Sequence, residues 1–123
     1  IEPHRRSVEL APDQPLLKRN LAQALVALDD PEADEEAYKM LKATLRLEKE
    51  IPLAWHQLAI VHARRGEDGM ASLATAERYV LLGAGGHAMT HAKRAYDQLP
   101  KGSPGWLRAG DILALIEQAS QRR

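Results

Sequence analysis

Cysteine is missing from these 123 residues, and so is phenylalanine. Without cysteine there is neither a disulfide framework nor a thiolate metal site. Aromatic residues make up only 4% of the chain, while alanine and leucine dominate an apolar fraction of 45%. That composition disfavours a sheet, which wants β-branched and aromatic side chains, and suits thin helix-on-helix packing. An excess of charge is also lacking: 17 basic residues face 17 acidic ones. A zero balance argues against nucleic acid or an anionic membrane surface as the main partner. No apolar run approaches the roughly 20 residues that span a bilayer, so no membrane span is expected. The fold class expected is all-α.

What is present is helical periodicity broken by proline and glycine. The stretch 79–100, YVLLGAGGHAMTHAKRAYDQLP, organises the rest. Its pattern breaks at Gly83 and resumes near Gly86, and Ala88, Ala92 and Ala95 then recur at i, i+4 and i+7. Those three share one stripe of a helix, and a stripe of alanine lets a neighbouring helix approach closely. Pro12 and Pro15 precede an amphipathic helix over 16–28, with Leu17, Leu21, Ala24, Leu25 and Leu28 on one face. A polar loop over 29–34 holds Pro31, and Asp34, Glu35 and Glu36 offer negative charge to the start of a second helix. Ala37, Met40, Leu41, Thr44 and Leu45 form its inward face. Pro52 opens a third helix, 70–82 and 87–99 form a fourth and a fifth, and Ser103 and Pro104 start a sixth. Six antiparallel helices joined by short turns follow. Residues 1–12 read as the end of a preceding helix cut short, so the 123 residues read as one helical domain taken from a longer protein.

The intervals resemble those of a tetratricopeptide (TPR) repeat, a helix pair recurring about every 34 residues. With Pro15 as the first position, Leu21, Ala22 and Leu25 take the motif places. With Pro52 first, Trp55, Leu58, Ala59 and Gly66 match, and His62 replaces a tyrosine. With Gly69 first, the match covers Ala76, Tyr79, Gly83, Ala88, Ala92, Ala95 and Pro100. These registers conflict, because Pro52 to Gly69 is half a repeat. The expectation is an irregular TPR-like solenoid with an insertion of three in the 29–34 loop.

Four features could carry chemistry, and each has a plainer reading. His87 and His91 stand at i and i+4, a ligand spacing on a helix, but Ala88 occupies the place of the catalytic glutamate of HExxH and no third ligand is evident. Gly83 to Gly86 follows a helix rather than a strand and lacks the lysine of a phosphate loop, so a turn is expected. The acidic run 29–36 lacks EF-hand spacing. Trp55 and Trp106 read as core. No nucleophile, paired base or carboxylate dyad presents itself, and neither a catalytic residue nor a cofactor site is assigned.

Specific stretches carry a closer resemblance. They are Asn20 to Leu25, Trp55 to Ala59 with Arg65 to Ala71, Ala76 to Tyr79 with Leu82 and Gly83, and Gly102 to Ala109 with Asp111 and Ile112. Together they resemble the C-terminal TPR domain of bacterial periplasmic zinc metalloproteases, the BepA-like peptidases. The resemblance implies a non-catalytic interaction module that binds polypeptide substrates or outer-membrane assembly partners, in the periplasm. Zinc would sit in a separate HExxH domain. The TPR segment of a cytochrome c biogenesis factor or another periplasmic adaptor is the alternative.

In such arrays the second, fifth, ninth and twelfth positions of the first helix line the concave face. Here they are Leu16, Arg19, Gln23 and Val26, then Leu53, His56, Ile60 and Ala63, with Thr90 and Arg94 joining if the fifth helix lies on that side. That surface suits a protein or peptide partner. The plainer reading is a solvated face. Val8 and Leu10 at the truncated edge suggest self-association.

Overall fold

The computed structural model describes residues 15–122, with side chains from residue 21 onward. Val8 and Leu10 lie outside the described residues, as do the side chains of Leu16, Leu17 and Arg19. Six helices run in order: α1 (Pro15–Ala27), α2 (Pro31–Leu47), α3 (Pro52–Arg64), α4 (Asp68–Leu81), α5 (Gly85–Gln98) and α6 (Pro104–Gln121). No strand occurs among the described residues.

Local chemistry sets the ends. Pro15, Pro31, Pro52 and Pro104 each open a helix, where the missing N–H has no intrahelical partner to lose. Asp30 caps α2 by accepting a hydrogen bond from the Ala33 amide at 3.0 Å, and Ser103 caps α6 by accepting one from the Trp106 amide at 3.3 Å. Such caps are worth about 1 kcal/mol each. Gly83, at φ 72°, ends α4: the Gly83 amide reaches the Val80 carbonyl and the Ala84 amide reaches that of Tyr79. This paired closure needs a left-handed residue, which glycine adopts without strain. Gly83 to Gly86 is therefore a turn between helices.

One expected boundary is corrected. The loop over 29–34 is only 28–30, because the Asp30 cap and Pro31 start α2 three residues earlier than its acidic run suggested. The extra length resides in the helix: α2 has 17 residues where α1 and α3 have 13.

The packing order divides the helices. Each helix packs on the next. Beyond that, α1 touches α3 and α4 touches α6, but no Cα of α3 comes within 8 Å of one in α5. Two three-helix groups, α1–α2–α3 and α4–α5–α6, thus meet through the α3–α4 contact. The buried residues divide in the same way. Leu21, Leu25, Leu41, Leu58 and Val61 belong to the first core, and Leu73, Ala76, Ala92, Ala95, Ala109 and Ile112 to the second. Ala74 joins the first core, so α4 serves both. A fully buried leucine or isoleucine contributes roughly 1.5–3 kcal/mol. Ala88, Ala92 and Ala95 are fully buried, as their stripe implied.

The tryptophans depart from expectation. Trp55 and Trp106 are half-buried rather than core. The Trp106 ring stacks on Tyr96, with centroids 4.6 Å apart.

Candidate functional site

The junction of the two groups opens a cleft of about 360 Å³. Its walls come from four helices. Lys42 and Arg46 stand at i and i+4 on one face of α2 beside Leu45, and Lys49 joins them from the α2–α3 turn, past the end of the helix at Leu47. Trp55 and Leu58 of α3 supply apolar surface, and Glu77 of α4 and Arg108 of α6 supply the far side.

Each wall is held in place. The Trp55 indole N–H donates to the Lys49 carbonyl at 2.8 Å, which fixes the ring at the α2–α3 turn. Arg108 donates from Nε to Glu77 Oε2 at 2.8 Å and from its terminal nitrogen to Oε1 at 2.7 Å. This two-pronged geometry is the strong form of an arginine–carboxylate pair. The Glu77 hydrogen bonds, against partial burial, raise the Arg108 pKa above its ordinary value. By contrast, Lys42, Arg46 and Lys49 make no ion pair or side-chain hydrogen bond within the described residues. The lining carries four cations against one carboxylate, and that carboxylate is already engaged. The cleft can hold carboxylates or carbonyl oxygens beside an aromatic and aliphatic wall.

The residues selected from repeat positions lie elsewhere. Val26 is corrected: it is buried at 4% exposure in the first core, because both α2 and α3 pack on α1 and widen its buried face. Gln23 and Ala63 are exposed, Leu53 is 38% exposed, and His56 and Ile60 are half-buried. The α3 members stand on the side of the helix roughly opposite Trp55 and Leu58, as 100° per residue requires. None of them lines the cleft. Thr90 and Arg94 are exposed on α5, which makes no contact with α3, so they do not join the α3 residues. The Thr90 hydroxyl donates back to the Gly86 carbonyl at 3.1 Å.

His87 and His91 both stack on Tyr79, with centroids 5.0 and 5.6 Å from it. Burial, with Arg94 and His87 nearby, lowers the His91 pKa. Among the described residues no group of three or more histidines and carboxylates could hold a metal ion. A larger hollow of about 540 Å³ lies between the α4–α5 turn and the end of α6, lined by Val80, Met89, Leu115 and Ile116 among others. No charged side chain lines it, so it offers little to select a partner.

Sequence reasoning missed the cleft. Its α2 side had a visible signal, Lys42 and Arg46 at i and i+4 with Lys49 just beyond the helix, but the binding face was sought on the helices taken as first in each expected repeat. Comparison of the chain with known protein families and with curated proteins finds no match.

Proposed function

We propose that the chain is a non-catalytic interaction module that holds polypeptide in the cleft between α2 and α6. The observation that carries this reading is the convergence of four helices on one opening with fixed Trp55, apolar Leu58 and a cationic wall. An extended segment of polypeptide presents what such a surface takes: backbone carbonyls and carboxylates for the cations, and an apolar side chain for the wall. The lining contains no serine, threonine or histidine, and its one carboxylate is paired with Arg108.

The broader setting comes from resemblance. In this reading the helices form a TPR-like array in a bacterial periplasmic zinc metallopeptidase, and they present substrates or outer-membrane assembly partners to a catalytic domain elsewhere in that protein. The stack of helices in two three-helix groups joined at α3–α4 supports it, as does the half-repeat spacing from Pro52 to Gly69.

Site-specific cross-linking tests the proposal. A photoactivatable residue placed at Lys49 should capture alkylated, unfolded α-lactalbumin, while one at Ala63 on the opposite side of α3 should not. Capture at Ala63 alone would move the surface to the α3 stripe. Capture at neither would remove polypeptide holding as the function.

A further inference from the structure

We infer that the cleft selects acidic polypeptide segments, with aspartate or glutamate side chains flanking an apolar residue. This rests on the reading that the cleft holds polypeptide and adds the class of segment.

Charge is the first argument. The chain as a whole is neutral, yet Lys42, Arg46 and Lys49 bring three positive charges to one wall with no partner among the described residues. By contrast, Arg64 and Arg108 are matched. Arg64 pairs with Asp34 at 2.9 Å and with Asp29 at 3.2 Å, and Arg108 is held by Glu77. Asp111 lies near Arg108 and reinforces its charge, but does not line the cleft. The cleft therefore keeps an uncompensated positive field beside low-dielectric walls, which concentrates anions.

Spacing is the second. From Lys42 to Arg46 the helix rises about 6 Å. An extended segment covers that distance in about two residues, and its alternate side chains face the same way. Two carboxylates separated by one residue can thus meet the α2 wall together, with an apolar neighbour available to Trp55 and Leu58.

Two other occupants fit less well. A nucleic acid backbone would meet the Glu77 carboxylate in a short cleft on a neutral chain. A second copy would gain little from the acidic run 29–36, where Asp29 and Asp34 are taken by Arg64 and Glu35 lies 3.7 Å from Arg65.

The test uses two peptides with the same apolar residues, one carrying glutamate where the other carries glutamine. Binding is read from Trp55 fluorescence in a Trp106→Phe background. The glutamate peptide should bind on the order of tenfold tighter, which is about what two exposed ion pairs are together worth. The advantage should fade in about 1 M salt, where screening is nearly complete. It should also vanish in the Lys42→Gln, Arg46→Gln, Lys49→Gln protein while melting stays unchanged, and persist in Lys93→Gln and Lys101→Gln controls. Equal binding of both peptides would overturn the acidic preference and leave polypeptide holding intact. No Trp55 response to either peptide would remove the underlying reading as well. Displacement of the glutamate peptide by a short oligonucleotide of equal charge would assign the cleft to nucleic acid. Dimerisation that blocks the peptide would assign it to a second copy.

Discussion

Arg108 on α6 and Glu77 on α4, 31 residues apart in sequence, are joined by two hydrogen bonds of 2.8 and 2.7 Å. The Glu77 side chain is 12% exposed and that of Arg108 40%. The pair lies between a surface ion pair and a buried one, and it ties α4 to α6 on the far side of the cleft. Arg108→Ala should cost about 1–2 kcal/mol, above the worth of exposed pairs and below that of fully buried ones. Arg108→Lys keeps the charge but loses the fork, and should recover only part of this. A thermal double-mutant cycle with Glu77→Gln measures the coupling.

The alanine stripe of α5 makes a second prediction. Ala92 and Ala95 are fully buried in the second core. A leucine at either position has no free volume to enter and should cost about 1–3 kcal/mol. Lys93→Leu, at an exposed position on the same helix, should leave the melting temperature nearly unchanged. Equal melting for all three variants would mean that α5 does not press its alanines against its neighbours.

The α4–α5 turn makes a third. Gly83 holds φ 72°, where a Cβ costs roughly 1–2 kcal/mol. Gly86 sits inside α5 with nothing within 4 Å of where its Cβ would be. Gly83→Ala should therefore destabilise the protein. Gly86→Ala should stabilise it by up to about 1 kcal/mol, because helix propensity rises and nothing is displaced. Urea titration of the two variants should show midpoints moving in opposite directions.

Acid should weaken the first group through His62. Its Nδ1 lies 3.0 Å from Glu67 Oε1, and its buried Nε2 has no partner among the described residues. Burial, outweighing the Glu67 hydrogen bond, lowers its pKa below 6.5. The unfolded chain thus binds the proton more readily than the native one. Stability is full above pH 6.5 and falls as the pH drops from 6.5 toward the lower native pKa. Glu67, whose pKa His62 lowers, adds to the loss further into acid, below its ordinary 4.5. Melting temperatures of the protein and of His62→Leu between about pH 7 and pH 5 test this. The variant should show the shallower slope.

Much of the local structure was legible because it is written in short intervals. Pro52 and Pro104 announced helix starts, Gly83 announced a stop, and the Ala88, Ala92, Ala95 stripe announced close packing; each signal spans a few residues and needs no distant partner. The half-repeat between Pro52 and Gly69 was also visible. The α2 start was misplaced because Asp30 was read as part of the polar loop rather than as its cap. Asp34 was read as a charge at a helix end. In the fold it is buried at 6% exposure against Arg64, which also donates to the Val26 carbonyl at 2.8 Å. Those partners lie 30 and 38 residues away, beyond any local pattern.

The sequence by itself determined an all-α architecture and the six helices among the described residues, since proline and glycine placement and apolar periodicity act within one or two turns. Only the tertiary structure decided which faces meet. Val26 is buried because two helices cover α1. Thr90 and Arg94 are separated from the α3 stripe because α4 and not α3 is the neighbour of α5. Lys42, Arg46 and Lys49 gain their place because α4 brings Glu77 and α6 brings Arg108 to the same opening. Periodicity tells a helix which side is apolar, but the choice among neighbours depends on how all six surfaces fit at once.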